Sequence, residues 1–487
     1  MRLLIAGFLL FPLLLNAQFQ LGWRTDTYAG INSALVNPAS PGRTPYSWDL
    51  NLGEVSTFLA NNYSYLRETS ITELLRNRDK NIDVYFAQDL PADINPSNPG
   101  DGVLVYDYFH NRSYYGQQLN SILGPSFSVK VAPQTRIGIF TRWQTLFSAK
   151  GIDEDLGYYQ WYDIPTQQNF TLDKFRGAAA SWAEVGLNIS QGIFTDNGEL
   201  LLGLSVRRLW GQRAAYIISE EDFSLSKLPN TIGLEGTDFS LEAGFTSNAG
   251  NDDFTDSPGR GWAADLGVLY RIDLGDDFYR WEFGAAILDI GGLLFKESEL
   301  HRFNSSQLAT TFTDSYNNLD TEQGFAQAAS QLSEDIFDDN SISRVGNEFN
   351  LRLPTTLSLQ ATYAFTEWAK VEANILAGIA PSGASLTRNT TIALTPRIDR
   401  YWWGIGMPVS LYAMNDLRVG LAARLGPLFI GTDQLGAFTK SKQLSGGDFF
   451  VGVKFFPLGL NRNGGKNNKK RGGRRGGGQG DQRVRTR

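Results

Sequence analysis

The strongest constraint on the fold is a two-residue alternation of apolar and polar side chains that recurs along the chain. In the clearest run the apolar positions are Trp262, Ala264, Leu266, Val268, Tyr270 and Ile272. The same alternation appears in 357–365 and 417–425, and weaker copies appear in 127–131, 183–189, 200–206, 239–245, 371–379 and 449–455. Successive side chains of a strand point to opposite faces, so these runs predict strands with one apolar face. Many have about 9–11 residues, the length that a tilted strand needs to cross a bilayer.

Turn residues separate these runs, and longer polar excursions lie at 66–121, 149–177, 216–236 and 296–350. Short turns at one rim and long loops at the other are typical of outer-membrane barrels. We expect about 14 strands, with 12 to 16 possible. The sequence leaves open whether the number of strands is odd or even, because residues 213–219 and 428–436 can each be counted as strand or loop. The last strand, 448–456, ends on aromatic residues before Pro457.

Two further patterns favour a membrane barrel over a secreted soluble β protein. Aromatic residues fall near the ends of apolar runs and fit two girdles: Trp262, Tyr270, Trp281, Tyr363, Trp368, Tyr401, Trp402 and Trp403. Charged residues recur on the opposite face and fit a polar lumen: Glu184, Glu242, Asp265, Arg271, Glu372, Arg418 and Arg424. They could form a selectivity ring or pair across the lumen and fill it. We therefore predict an all-β, transmembrane antiparallel β-barrel over residues 46–460.

The two ends of the chain differ from the predicted barrel. Arg2 and the apolar stretch after it, with a small residue at Ala17, predict a signal peptide over 1–17. Residues 461–487 carry ten Lys or Arg and one acidic residue, although the whole chain has a formal charge of −7. We expect this part to be a disordered, basic Gly/Arg/Lys-rich periplasmic tail, with its densest charges at Lys469, Lys470, Arg471, Arg474 and Arg475.

The predicted location limits the partners of the tail. Export argues against nucleic acid as a partner and leaves anionic groups of the periplasm: wall polymer, lipid phosphate or an acidic protein. A solvated tail without any partner is equally open. The barrel itself would contact outer-membrane lipid of a Gram-negative bacterium.

One excursion contains a predicted helix. Asp320 and Gln323 could form a capping pair, and the apolar residues that follow lie on one helical face: Phe325, Ala328, Leu332 and Ile336. The helix could be a lid over the lumen, or it could fold its apolar stripe onto the barrel rim, which we favour.

The composition argues against catalysis and cofactors. The chain has no cysteine and two histidines, His110 and His301, which lie in predicted polar loops. No nucleophile elbow, phosphate-binding loop or zinc-protease motif is present. Acidic clusters at 153–155 and 252–253 could hold a divalent cation, although solvated loop acids are the simpler interpretation. We therefore expect neither an enzyme nor a cofactor or metal site.

Near the predicted mature N-terminus, Asn37, Pro38 and Ala39 form an Asn-Pro-Ala element before the first strand. This element resembles the long-chain fatty acid transporter superfamily of outer-membrane barrels and its Bacteroidota relatives, some of which serve type IX secretion. The resemblance implies about fourteen strands, with residues 18–45 packed inside the lumen as a hatch. A simple N-terminal turn is the alternative.

These observations lead to three functional hypotheses. The first is passive transport of hydrophobic or small solutes across the outer membrane. The second is a non-transporting structural or assembly component of a Bacteroidota envelope machine such as that of type IX secretion. The third is a secreted soluble β protein.

Overall fold

The computed structural model describes residues 19–77, 82–87, 90–95, 102–109, 114–152, 166–229, 233–249, 256–274, 278–306, 309–312, 324–379, 382–439 and 441–457. The predicted signal peptide and basic tail, His110, the capping pair and both acidic loop clusters lie outside these residues. Strands in the described part are numbered β1 to β29 along the chain.

Fourteen antiparallel spans form a closed β-barrel, which confirms the predicted fold class and strand number. Ten spans are single strands: β1 (Trp48–Asn61), β7 (Thr135–Ile152), β9 (Phe175–Thr195), β10 (Gly198–Ser219), β14 (Gly259–Ile272), β15 (Trp281–Phe295), β21 (Ala369–Gly378), β22 (Thr391–Asp399), β27 (Leu428–Thr432) and β29 (Gly446–Phe455). Four spans consist of two collinear strands: β5 (Tyr114–Leu123) with β6 (Ser126–Ala132), β19 (Phe349–Arg352) with β20 (Thr356–Ala364), β23 (Trp403–Gly406) with β24 (Val409–Tyr412), and β25 (Asp416–Val419) with β26 (Leu421–Leu425).

The barrel closes where β1 pairs with β29, with Val55 opposite Val451. On its other side β1 pairs with β5 and β6, so no edge strand is left between the first and last spans. The two regions that left the parity open are now assigned. Residues 213–219 continue β10, whereas 428–436 hold β27 and then the 3₁₀ helix Leu435–Phe438.

The apolar face of each span points outward. In β14 Trp262 is 60% exposed, while Asp265 on the other face is buried. In β25 and β26 Leu417 and Leu425 are more than 70% exposed, and Arg418 is buried. Apolar side chains outside and polar ones inside are the reverse of a soluble barrel, so the outer wall is a lipid-facing belt. Among the described residues, no helix is both long and apolar enough to cross a bilayer.

Short turns such as 132–135, 195–198 and 425–428 define an inner rim, and the longer loops rise from the outer rim. Two small sheets extend the outer rim: β2 (Ser64–Thr69), β3 (Asp83–Phe86), β4 (Val103–Tyr108) and β28 (Ser441–Leu444), and β8 (Gln168–Leu172), β11 (Phe223–Lys227), β12 (Gly233–Thr237) and β17 (Ala309–Phe312). β13 (Phe239–Thr246), β16 (Ser298–Ser305) and β18 (Arg344–Gly346) continue the wall outward from β10. A short helix, Ile71–Arg76, packs near β28 and the 3₁₀ helix Leu435–Phe438.

The predicted loop helix is present as Gly324–Phe337, and it covers the outer extension instead of the lumen. Its buried side chains Ala329 and Ile336 join a cluster with Phe245 and Phe303, so Ala329 takes the central place that we expected for Ala328. The rim interpretation was therefore the better one.

Candidate functional site: a lumen closed by two inserted segments

The chain before β1 fills the inner half of the barrel. Residues 19–47, the N-terminal luminal segment, form one short helix, Leu21–Arg24, and two 3₁₀ helices, Gly30–Leu35 and Ser40–Arg43. The first helix contacts β22, β23, β26 and β27, whereas the last contacts β7, β9 and β10 on the opposite wall. The segment thus bridges the lumen from wall to wall.

The Asn-Pro-Ala element anchors this segment through specific hydrogen bonds. The Asn37 amide donates to the Val268 carbonyl (3.1 Å) and to Gln360 Oε1 (2.9 Å), and its own oxygen accepts from the Ala39 N–H (2.9 Å). The Pro38 carbonyl accepts from the Asn188 amide (3.0 Å). An Asn followed by Pro suits such a turn because Asn bonds nearby backbone and Pro fixes its own φ.

Two wall glycines make room for the turn. A Cβ at Gly203 would collide with the backbone of Pro38 and Ala39, and a Cβ at Gly267 would collide with Asn37 and Pro38. Any larger side chain at these positions therefore has to displace the turn. The wall and the element are shaped for each other.

Asp49 on β1 is the strongest anchor near the inner rim. Its carboxylate is fully buried and accepts the Ile31 N–H (3.0 Å) and a hydrogen bond from Ser128. It also pairs with Arg136 (3.2 Å) and Lys454 (2.9 Å), and Lys454 in turn donates to the Ala29 carbonyl. One carboxylate thus ties four wall strands, β1, β6, β7 and β29, to the segment.

Glu54, five residues further outward on β1, provides the second anchor. It accepts from Arg24 (2.7 Å), Gln20 (2.5 Å) and Asn32 (2.7 Å), all on the segment. Since Glu54 is 1% exposed, these bonds form out of contact with water, where an unpaired carboxylate is costly.

Aromatic residues pack around the segment at the inner mouth. The Tyr46 ring stacks on Phe456 (4.7 Å between centroids), and Tyr401 lies edge-on to both rings. Burial raises the pKa of Tyr28 to about 12, and its neutral ring lies under the Arg424 guanidinium at 5.0 Å. Tyr401 and Phe456 therefore face the mouth, which corrects the expectation that Tyr401 belongs to an aromatic girdle.

The middle of the lumen holds a balanced set of buried ion pairs, here called the central cluster: Arg142, Glu184, Arg207, Asp265, Asp289 and Arg388. Arg207 contacts Asp265 at 2.6 Å and Asp289 at 2.8 Å, and Arg388 contacts Asp289 at 2.8 Å. The crevice beside the cluster has a volume of only about 20 Å³, which is room for a single water. The described side chains thus leave little open space beside the central cluster.

A second segment enters the lumen from the outer rim. Residues 382–390, the inward loop, connect β21 to β22 and place Leu386 at 0% exposure. The Thr387 N–H donates to Ser148 Oγ (3.0 Å), the Asn389 amide donates to the Tyr412 hydroxyl (3.1 Å), and Arg388 belongs to the central cluster. The guanidinium of Arg388 also lies 5.0 Å from the Phe19 ring, so the two inserted segments meet.

Around the inward loop the lumen wall carries many large apolar side chains, beside polar groups such as Gln117, Ser148 and Arg418. Large inward side chains of the outer half form one buried cluster with Leu386: Phe58, Tyr115, Leu119, Leu146, Trp182, Leu209, Tyr216, Leu293, Phe295 and Tyr412. We call this the apolar layer. The lumen therefore changes from mainly charged at the inner mouth and centre to mainly apolar towards the outside.

The predicted inward charges are mostly placed correctly, and they pair and fill the lumen. Asp265, Arg271, Glu372, Arg418 and Arg424 line the lumen in buried or part-buried ion pairs. Glu184 joins the central cluster. Glu242 is the exception, because it lies in β13 beyond the fourteen spans and pairs with Arg302.

Sequence reasoning missed the inward loop and the anchors Asp49 and Glu54. The loop lacks an alternating pattern, and its only signal is a run of small polar residues between two strands. Lys469, Lys470, Arg471, Arg474 and Arg475 of the predicted tail lie outside the described residues. Among the described residues, no group of three or more His, Cys, Asp or Glu side chains is arranged to hold a metal ion.

Comparison with known sequences gives a family. The model for DUF5723, described as a family of unknown function, matches residues 38–433. The chain belongs to this family. The match begins at Pro38 of the Asn-Pro-Ala element and ends just after β27. No curated protein matches the sequence of this DUF5723 member.

Solved structures similar to this DUF5723 member include three bacterial barrels. The toluene transporter TbuX of Ralstonia pickettii is 11% identical, with a TM-score of 0.36 over 88% of this chain and 93% of that one. The toluene transporter TodX of Pseudomonas putida is 9% identical (0.30; 91% and 97%), and a FadL homologue of Pseudomonas aeruginosa is 10% identical (0.23; 91% and 98%). The fold of the chain rests on its own strand pairing, and its solute has to be argued from its own residues.

Proposed function

We propose that this DUF5723 member is an outer-membrane barrel that passively transports hydrophobic solutes, with the N-terminal luminal segment and the inward loop as its gates. The apolar layer is the observation that supports a hydrophobic solute. A channel for polar solutes needs polar or charged groups along its path, whereas the outer half of this lumen offers large apolar and aromatic side chains.

Two features support movable gates. The luminal segment is held mainly by side-chain hydrogen bonds and ion pairs. The inward loop is held by side-chain hydrogen bonds and by a single backbone bridge to Arg352. Neither interrupts the barrel ladder, so either can leave the lumen while the wall stays closed. The outer membrane of a Gram-negative bacterium as the location is supported by the lipid-facing belt and by the predicted signal peptide.

Uptake by intact cells tests this proposal. Cells of a Gram-negative host that lacks its own hydrocarbon channels would express the protein, and entry of a radiolabelled monoaromatic compound would be compared with that of a sugar alcohol of similar size. We expect faster entry of the aromatic compound alone. Leu146→Gln in the apolar layer should reduce this entry, whereas Leu202→Gln on the lipid-facing wall should leave it unchanged.

The closed lumen also favours a second candidate, a non-transporting component of an envelope machine, with type IX secretion as one example. The predicted tail would then contact an anionic periplasmic partner. If neither solute enters faster, and if affinity purification returns partner proteins only when residues 461–487 are present, this candidate replaces the first.

A further inference from the structure

A second, polar cavity opens at the inner mouth of the barrel. It has a volume of about 250 Å³ and lies between residues 42–45 of the luminal segment and the inner ends of β6, β7, β9, β10 and β14. Four cations line it, Arg43, Lys130, Arg136 and Arg271, together with one carboxylate, Glu199. We call it the inner-mouth pocket.

Carboxylates elsewhere only partly compensate these cations. Arg136 shares Asp49 with Lys454 (3.2 and 2.9 Å), so two cations depend on one carboxylate. At most 2% of each of these three side chains is exposed. Water therefore screens the excess charge poorly.

Arg43 also shares its carboxylate partner with a second cation. It shares Glu282 with Lys370, at 3.3 and 4.0 Å. At the inner ends of β21 and β22, Glu372 and Asp399 share Arg397, which returns one negative charge. Together with the Glu199–Arg271 pair, the connected buried groups carry a surplus of one positive charge, and Lys130, whose side chain is exposed, adds a second at the pocket. A buried surplus of this kind is costly unless an anion compensates it.

Arg271, which lines this pocket, has one side-chain donor without a partner. One of its terminal nitrogens contacts Glu199, and its guanidinium stacks on the Tyr279 ring at 4.3 Å, but the buried Nε has no hydrogen-bond partner. The aromatic ring fixes the guanidinium plane, so its donors keep one direction. A planar guanidinium held in this way, in the same pocket as the exposed ammonium of Lys130, is suited to the oxygens of a phosphate group.

We propose that the inner-mouth pocket binds a phosphate group, with Arg271 and Lys130 as its main donors. The phosphate could belong to a small phosphate monoester in the periplasm or to a phospholipid headgroup of the inner leaflet, since both present the same oxygens. This site stands apart from the transport proposal and holds whether or not the barrel carries hydrophobic solutes.

Calorimetric titration of the full-length protein in nanodiscs tests the site. In discs of digalactosyldiacylglycerol, a lipid without phosphate, the titrants are inorganic phosphate and glycerol phosphate, and a second set of discs contains phosphatidylglycerol. If the source is a soluble ester, saturable binding occurs in both kinds of disc; if it is lipid, the phosphatidylglycerol discs abolish binding of added phosphate. Lys130→Gln should weaken phosphate binding about tenfold, and Lys442→Gln on the outer sheet should not change it.

Arg271→Gln serves as the second variant, and its heat-modifiable gel mobility shows whether the barrel is folded. Folded Arg271→Gln protein should bind phosphate more weakly than Lys130→Gln protein, because it loses the planar guanidinium whose N–H donors the Tyr279 ring holds in one direction. The proposal is overturned if the wild type binds no phosphate in either disc, or if both pocket variants bind it as the wild type does.

Discussion

Asp49→Asn gives a direct measure of how firmly the luminal segment is held. The substitution keeps the size of the side chain and one acceptor oxygen for the Ile31 N–H, but it removes the charge that Arg136 and Lys454 share. Breaking a buried ion pair by removing one partner costs about 3–5 kcal/mol. Two cations lose their partner here, so we expect at least the lower end of this range.

Part of that cost should appear as release of the segment. If about 3 kcal/mol falls on the equilibrium between seated and released segment, the released fraction rises about 100-fold, since 1.4 kcal/mol corresponds to a factor of ten. The protein has no cysteine, so Ser33→Cys supplies the only thiol in the chain. Residue 33 is 2% exposed when the segment is seated, and its labelling rate with a membrane-impermeant maleimide reports release.

The matched control is Asp107→Asn. Asp107 also pairs with an arginine, Arg67, but this pair lies in the outer sheet with Arg67 one-third exposed. Such partly solvated pairs contribute about 0–1 kcal/mol, so the labelling rate of the thiol introduced by Ser33→Cys should not change. Equal labelling rates in the Asp49→Asn and wild-type backgrounds, with unfolding free energies that agree to about 1 kcal/mol, would refute the role of Asp49 as an anchor.

Three further predictions test other parts of the structure. Gly267→Val should expose the luminal segment to protease because the added carbons collide with Pro38, while Gly53→Ala, whose Cβ meets nothing closer than 4.0 Å, should not. Leu187→Arg on the lipid-facing belt should cost about 2–4 kcal/mol in urea unfolding from bilayers, and Ile193→Arg near the inner rim should cost about 0–1 kcal/mol; equal costs would contradict the belt. Burial lowers the pKa of His301 in the outer extension, so the unfolded form takes up the proton first and stability is lost as pH falls below about 6.5. Amide exchange of β13 and β16 between pH 8 and 5 should show this loss, and His301→Gln should abolish its pH dependence.

The wall of the barrel was predictable because lipid imposes a local rule. Every second residue of a span faces lipid, so Leu266 and Leu359 could be assigned to the outer face from their neighbours alone. The same rule misplaced Glu242, because alternation continues into β13 beyond the membrane. Local periodicity identifies strands without showing where the bilayer ends.

The closure of the lumen was only partly predictable, because it depends on contacts between residues far apart in the chain. The resemblance at Asn37 implied a luminal segment, but its partner Gln360 lies more than 300 residues away. Asp289 on β15 and Arg388 of the inward loop meet in the lumen only after the loop has folded inward. The inward loop has no periodicity, since short polar residues bond to the wall one at a time.

The most direct test of the account is transport by a barrel whose gates are locked. Asn32→Cys with Asn51→Cys joins the luminal segment to β1, and Ser148→Cys with Thr387→Cys joins the inward loop to β7, where the native side chains or backbone are in hydrogen-bond contact. A short reducible cross-linker closes each pair, and entry of the aromatic solute into cells is measured before and after reduction. The account predicts that either cross-link stops entry and that reduction restores it, with each single-cysteine variant unaffected. Undiminished entry with both cross-links closed would contradict it.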